Sequence, residues 1–127
     1  MDSEIFLDAN ILLEVILNRS NAQTVRKLLR KHAENLSISP LTVHLVVYFG
    51  LQVTNLSVLQ KFLSDFTILP QNSTDTDWAF NNCCDDDFED AIQLGVAIRN
   101  GCTIFYTQDK KLYKNYKKLP QIKVVLV

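Results

Sequence analysis

Glu4-Ile5-Phe6-Leu7-Asp8, running on into Ala9-Asn10-Ile11-Leu12-Leu13-Glu14-Val15-Ile16-Leu17, is the stretch that decides the fold. Its first five residues form an apolar run too short for a helix, and the run ends on a carboxylate. Asn10 can then cap a helix that continues through Leu17 and stops near Asn18-Arg19-Ser20. A short apolar strand passing directly into a helix is the building unit of a parallel sheet covered on both faces.

The same alternation continues down the chain. Residues 21–34 carry Val25, Leu28 and Leu29 at helical spacing, with basic residues between them. Leu36-Ser37-Ile38-Ser39 reads as a second strand, and Pro40 opens a helix from Leu41 to about Thr54 that is apolar nearly all round. A helix over residues 57–64 leads to a third strand, Phe66-Thr67-Ile68-Leu69, closed by Pro70. A helix starts at Thr74-Asp75-Thr76-Asp77, and another spans Asp87 to Asn100 with Gly101 as its stop. Thr103-Ile104-Phe105-Tyr106-Thr107 is the fourth strand, Asp109 to about Tyr116 the next helix, and Lys123-Val124-Val125-Leu126 the last strand. Right-handed crossovers restrict this pattern to a doubly wound α/β/α sandwich, whose ligands sit at the carboxyl ends of the strands where strand order reverses.

A chain of 127 residues is read as one domain over its whole length, 1–127, and an apolar content of 47% excludes disorder. Met1-Asp2-Ser3-Glu4 is acidic where a secretory signal is basic, and no apolar run approaches the roughly 20 residues that span a bilayer. A cytoplasmic protein with no membrane segment is expected. Cys83, Cys84 and Cys102 form no CxxC pair, so neither a disulfide framework nor a zinc site is indicated. The net charge of −1 argues against a protein that coats nucleic acid non-specifically, but the charges are unevenly placed. Acids crowd between Asp75 and Asp90, while basic residues gather at Arg19 to Lys31 and at Lys110, Lys111, Lys114, Lys117 and Lys118. Each cluster alone reads as a solvated helix face. Two basic clusters flanking an acidic centre also suit a metal site that receives a polyanion.

Three carboxylates converge on that centre. Asp8 closes the first strand, and Asp109 lies two residues beyond the end of the fourth. The helix containing Asp90 is about 14 residues, roughly 21 Å, and its far end feeds the fourth strand, so Asp90 returns to the edge that holds Asp8 and Asp109. Singly, the three read as a turn residue, a helix cap and the second half of a capping pair with Asp87. Together they cannot all stay ionised without a cation, because like charges so close raise one another's pKa. Hard oxygen donors suit Mg²⁺ or Mn²⁺, which can activate water against a phosphodiester. Glu14, set in an apolar helix, is either a further ligand or a side chain that reaches to the surface. His32 and His44 read as fillers, and Trp78 and Phe80 as core.

Phe6-Leu7-Asp8-Ala9-Asn10-Ile11-Leu12-Leu13-Glu14, with Asn18-Arg19 after it, resembles the opening of PIN-domain proteins related to the VapC toxins of toxin–antitoxin pairs. Ile38-Ser39-Pro40-Leu41-Thr42, Asp87-Phe88-Glu89-Asp90-Ala91-Ile92-Gln93 and Thr107-Gln108-Asp109 are similar to later segments of that family, in the same order. The resemblance implies a five-stranded parallel sheet and an endoribonuclease dependent on Mg²⁺ or Mn²⁺. It also implies a small antitoxin partner and homodimerisation. It makes Asp8, Asp90 and Asp109 the metal ligands and catalytic residues, supported by Asn10 and Thr107. Independently of it, the basic run after Asp109 makes Lys110, Lys111 and Lys114 candidates to receive the RNA backbone. Two departures stand out: Leu45 occupies a position that is acidic in most of the family, and Lys110-Lys111-Leu112 offers no acid after Asp109. The competing reading is a PIN fold with weakened catalysis that binds RNA or protein. A phosphoacceptor receiver domain is set aside, because it needs an acidic pair after the first strand and a lysine ending a late one.

Overall fold

The computed structural model describes residues 5–127, so the acidic amino terminus Met1–Glu4, with the expected first strand residue Glu4, lies outside the described residues. The strands are β1 (Ile5–Leu7), β2 (Leu36–Ile38), β3 (Thr67–Ile68), β4 (Ile104–Thr107) and β5 (Lys123–Leu126). The helices are α1 (Ala9–Ile16), α2 (Ala22–Lys31), α3 (Pro40–Gly50), α4 (Leu56–Leu63), α5 (Ser73–Asn82), α6 (Phe88–Arg99) and α7 (Lys110–Tyr116). Every strand pair is parallel, and the order across the sheet is β3-β2-β1-β4-β5. The chain therefore starts in the middle, walks out to β3, and returns to β4 on the other side of β1. Strand order reverses between β1 and β4, and their carboxyl ends carry Asp8 and Thr107. The pairing extends to Asp8 itself, whose N–H donates to the Tyr106 carbonyl at 3.0 Å.

Alternation along β1 builds two cores. Ile5 and Leu7 pack with Ile11, Leu12, Val25, Val46 and Leu59 on the α1–α4 side. Phe6 faces the α5–α7 side, with Leu94, Leu112 and Val124, and stacks on Phe105 at 5.3 Å between ring centroids. Each such side chain, fully buried, contributes about 1.5–3 kcal/mol. A strand buried on both faces has to be apolar throughout, which is why β1 was readable as an unbroken run.

Helix α6 is fixed at both ends. Gly101 adopts φ 82° just past its carboxyl end, where the Gly101 N–H donates to Ile98 O (3.1 Å) and the Cys102 N–H to Ala97 O (3.0 Å). Arg99 reaches back to α5 with Nε at 2.7 Å from Asp75 Oδ1 and a terminal nitrogen at 3.1 Å from Oδ2. Asp75 also accepts the Asn72 N–H at 2.9 Å, completing a capping box for α5.

Several local expectations are corrected. Asp8 caps α1 in place of Asn10, since Ala9 is already helical. β3 has two residues, both exposed, because it is an edge strand with a partner on one side only. Helix α3 ends at Gly50, four residues before Thr54, and its outer face is uncovered: Tyr48 and Phe49 are exposed, as are Leu51 and Val53 just beyond it. Phe80 is 73% exposed and rests against Phe88, whereas Trp78 does join the core. Among the described residues no helix is long and apolar enough to cross a membrane.

Candidate metal centre

Asp8 is locked where β1 gives way to α1. Its Oδ1 accepts the Ala9 N–H at 2.8 Å, and its Oδ2 accepts the Thr107 hydroxyl at 2.8 Å and Asn10 Nδ2 at 3.1 Å. The Thr107 hydroxyl oxygen in turn accepts the Asp109 N–H at 3.0 Å. Asn10 Oδ1 accepts the Gln108 N–H at 3.1 Å. One hydroxyl and one amide thus tie the carboxyl ends of β1 and β4 into a single lattice that fixes both acids. Asp109 caps α7 through Oδ1, which accepts the N–H groups of Lys111 (2.9 Å) and Leu112 (3.1 Å). Asp90 arrives from the other direction, in the first turn of α6, which Asp87 caps.

Asp8, Asp90 and Asp109 line one cleft of about 300 Å³, together with Asn10, Leu45, Phe49 and Glu89. At its edge, carboxylate oxygens of Asp90 and Asp109 lie within 4.8 Å of one another and of Asp87, which does not itself line the cleft. Asp8 stands at the wall beside that tight group and is not one of its three members. Leu45 faces the cleft from α3, as the resemblance required. A larger apolar groove of about 540 Å³ between α3, α4 and β3 is lined by residues such as Val47, Leu63 and Ile68 and carries no ionisable group, so the chemistry belongs to the smaller cleft.

The electrostatics are those of crowded, dry acids. Burial pushes Asp8 up to about 6 against the Thr107 hydroxyl and the Ala9 N–H, which lower it, while the charges of Asp109 and Glu89 add to the rise. Burial is also the main reason Asp90 is pushed up to about 8, followed by the Asp87 carboxyl against it and the charges of Asp8, Asp87 and Asp109. A divalent cation answers this repulsion. Oxygen donors gathered this closely, with one of them buried and facing like charge, fit a small hard ion such as Mg²⁺ or Mn²⁺.

Glu14 is buried but does not line the cleft, so its candidacy as a ligand finds no geometric support. Its oxygens accept the Asn21 N–H (2.6 Å) and Gln108 Nε2 (3.0 Å), which pins the turn after α1 to the loop after β4. Burial of its charge in an apolar helix is thereby compensated. Lys110, Lys111 and Lys114 are exposed along α7, immediately beyond Asp109. Sequence reasoning missed Glu89 and, more importantly, Asp87, which it read only as a cap. The signal was present: residues three apart share a helix face, so whatever places Asp90 at the edge places Asp87 there too.

A family model described as PIN domain matches residues 5–118. No curated protein matches the chain by sequence. Solved structures with the same fold include a toxin–antitoxin complex from Klebsiella pneumoniae, 19% identical with a TM-score of 0.77, covering 95% of each chain. DNA-bound VapBC from Salmonella typhimurium is 16% identical with a TM-score of 0.72 over 96% of each chain. PAE2754 from Pyrobaculum aerophilum is 22% identical with a TM-score of 0.63, covering 98% of this chain and 92% of its own.

Proposed function

The chain belongs to the PIN domain family, and on that premise we propose that it is an endoribonuclease dependent on Mg²⁺ or Mn²⁺ and the toxin half of a toxin–antitoxin pair. The observation that carries the reading is the meeting of Asp8, Asp90 and Asp109, from three distant segments, in one cleft at the point where strand order reverses.

In this reading Asp8, Asp90 and Asp109 hold the ion. When bound, the ion supplies a lowered pKa for an attacking water and charge stabilisation on the phosphate. Thr107 and Asn10 hold the Asp8 carboxylate in place, and burial around Asp8 and Asp90 keeps bulk water from screening their charge. Lys110, Lys111 and Lys114 draw the polyanionic backbone toward Asp109. Leu45 supplies no oxygen on the α3 wall, which predicts slow turnover. That same residue favours the second reading, a PIN fold that binds RNA or protein with little catalysis. The exposed apolar surface of Tyr48, Leu51, Val53, Leu56 and Val58 supports a protein partner, either a small antitoxin or a second copy.

Cleavage of a structured RNA tests the reading. The wild type should cut slowly in Mn²⁺ and not in EDTA, and Asp8→Asn should not cut. Leu45→Glu should cut faster, by about tenfold, equivalent to ~1.4 kcal/mol. If neither wild type nor natively folded Leu45→Glu cuts at saturating Mn²⁺, the enzyme reading fails and the binding module replaces it.

A further inference from the structure

We propose that Asp87 is a ligand of the divalent ion as well as the cap of α6, an inference that rests on the metal reading above and adds a residue to it. Its carboxylate belongs to the tight oxygen group with Asp90 and Asp109. Asp90 supplies the independent observation. It is 8% exposed, it lines the cleft, and among the described residues no N–H or hydroxyl donates to its carboxylate. Its carboxylate oxygen lies within 4.8 Å of those of Asp87 and Asp109. Carboxyls this close, one of them buried, either share a proton or hold a cation between them.

The cap itself fits a shared role. The Asp87 Oδ1 to Asp90 N–H distance is 3.5 Å, the loose limit of a hydrogen bond, so one oxygen caps weakly and the other is left to the cluster. Leu45 and Phe49, which line the cleft from α3, offer no side-chain oxygen, so the ion's donors come from the carboxyl end of β1 and from the α6 and α7 side. Asp87 is also held from outside the site. Asn115 Nδ2 donates to Asp85 at 2.9 Å, and the Tyr116 hydroxyl accepts the Cys84 N–H at 2.9 Å. Helix α7, capped by Asp109 at one end, therefore anchors at its other end the turn that presents Asp87.

The test is calorimetric titration of Mn²⁺ into the full chain without nucleic acid, for wild type, Asp87→Asn, Asp87→Ser and Asp90→Asn. Asn and Ser both cap helices well, so these variants keep α6 in place while removing an anionic oxygen. The expected result is a loss of about tenfold or more in Mn²⁺ affinity for both Asp87 variants. Their melting temperatures in EDTA should be unchanged or higher, since a repelling charge is gone. Asp87 variants that bind within about twofold of wild type, while Asp90→Asn loses affinity, overturn the assignment and leave the metal reading intact. A loss of affinity accompanied by lower metal-free melting temperatures reduces Asp87 to a cap and overturns it equally. A wild type that takes up no Mn²⁺ removes both.

Discussion

The two ends of α6 treat a buried carboxylate in opposite ways. At the carboxyl end, Asp75 is fully buried and meets the Arg99 guanidinium through two contacts, with a third hydrogen bond from the Asn72 N–H. At the amino end, Asp90 is nearly as buried and among the described residues forms no ion pair, and it faces Asp87 and the charges of Asp8 and Asp109. An acid buried to hold helices together brings its counter-charge in the chain. An acid buried to hold a ligand leaves that charge to the ligand, and the fold carries the cost meanwhile. On the metal reading proposed above, the contrast is between structural and functional burial.

Breaking the satisfied end should have the largest effect. Asp75→Ala removes the carboxylate partner of Arg99, which keeps only its bond to the Pro70 carbonyl, and half of the α5 capping box, and should cost roughly 2 kcal/mol or more in urea unfolding at pH 7. A loss below about 1 kcal/mol would make the pair an ordinary surface bridge and erase the contrast.

Titration sharpens the other end. Asp8 and Asp90 titrate at about 6 and about 8 when folded, against 3.8 as the ordinary value. Between about pH 4 and pH 8 the folded state therefore binds more protons than the unfolded one, so metal-free stability falls as pH rises through that window. Each group contributes at most about 1.4 kcal/mol per pH unit. Melting temperatures in EDTA should decline from pH 4.5 to 8.5, less steeply in Asp90→Asn, and millimolar Mn²⁺ should restore them at the alkaline end. A flat wild-type profile would show that Asp90 is not crowded in solution.

The smallest effect concerns the charges nearest the unsatisfied end. If Lys111 and Lys114 meet phosphates, Lys111→Ala and Lys114→Ala should each lower the salt dependence of RNA binding, log affinity against log salt, by about 1. An unchanged slope returns them to the solvated face of α7.

Much of this was legible in the sequence because it depends on local pattern. β1 and β4 are apolar runs with no alternative, and α6 is bracketed by Asp87 and Gly101, so its length alone carried Asp90 to the correct edge. What failed depended on distant partners. Asp8 and Asn10 are comparable caps, and the choice between them is made by Thr107, on a strand from the far end of the chain. Glu14 finds its partner in Gln108, 94 residues away, so no local rule distinguished a staple from a ligand. β3 is an edge strand of two residues, where the surrounding apolar residues overstated its length.

The hydrogen bond from Thr107 to Asp8 joins residues 99 apart, and it has a consequence for the timing of synthesis. At about 5–20 residues per second, Asp8 leaves the ribosome some 5–20 s before Thr107 and Asp109 exist to meet it. Until β4 is made, the edge of β1 that β4 covers in the finished sheet has no partner. The acidic cleft is therefore among the last features to form, and every shorter nascent chain lacks it.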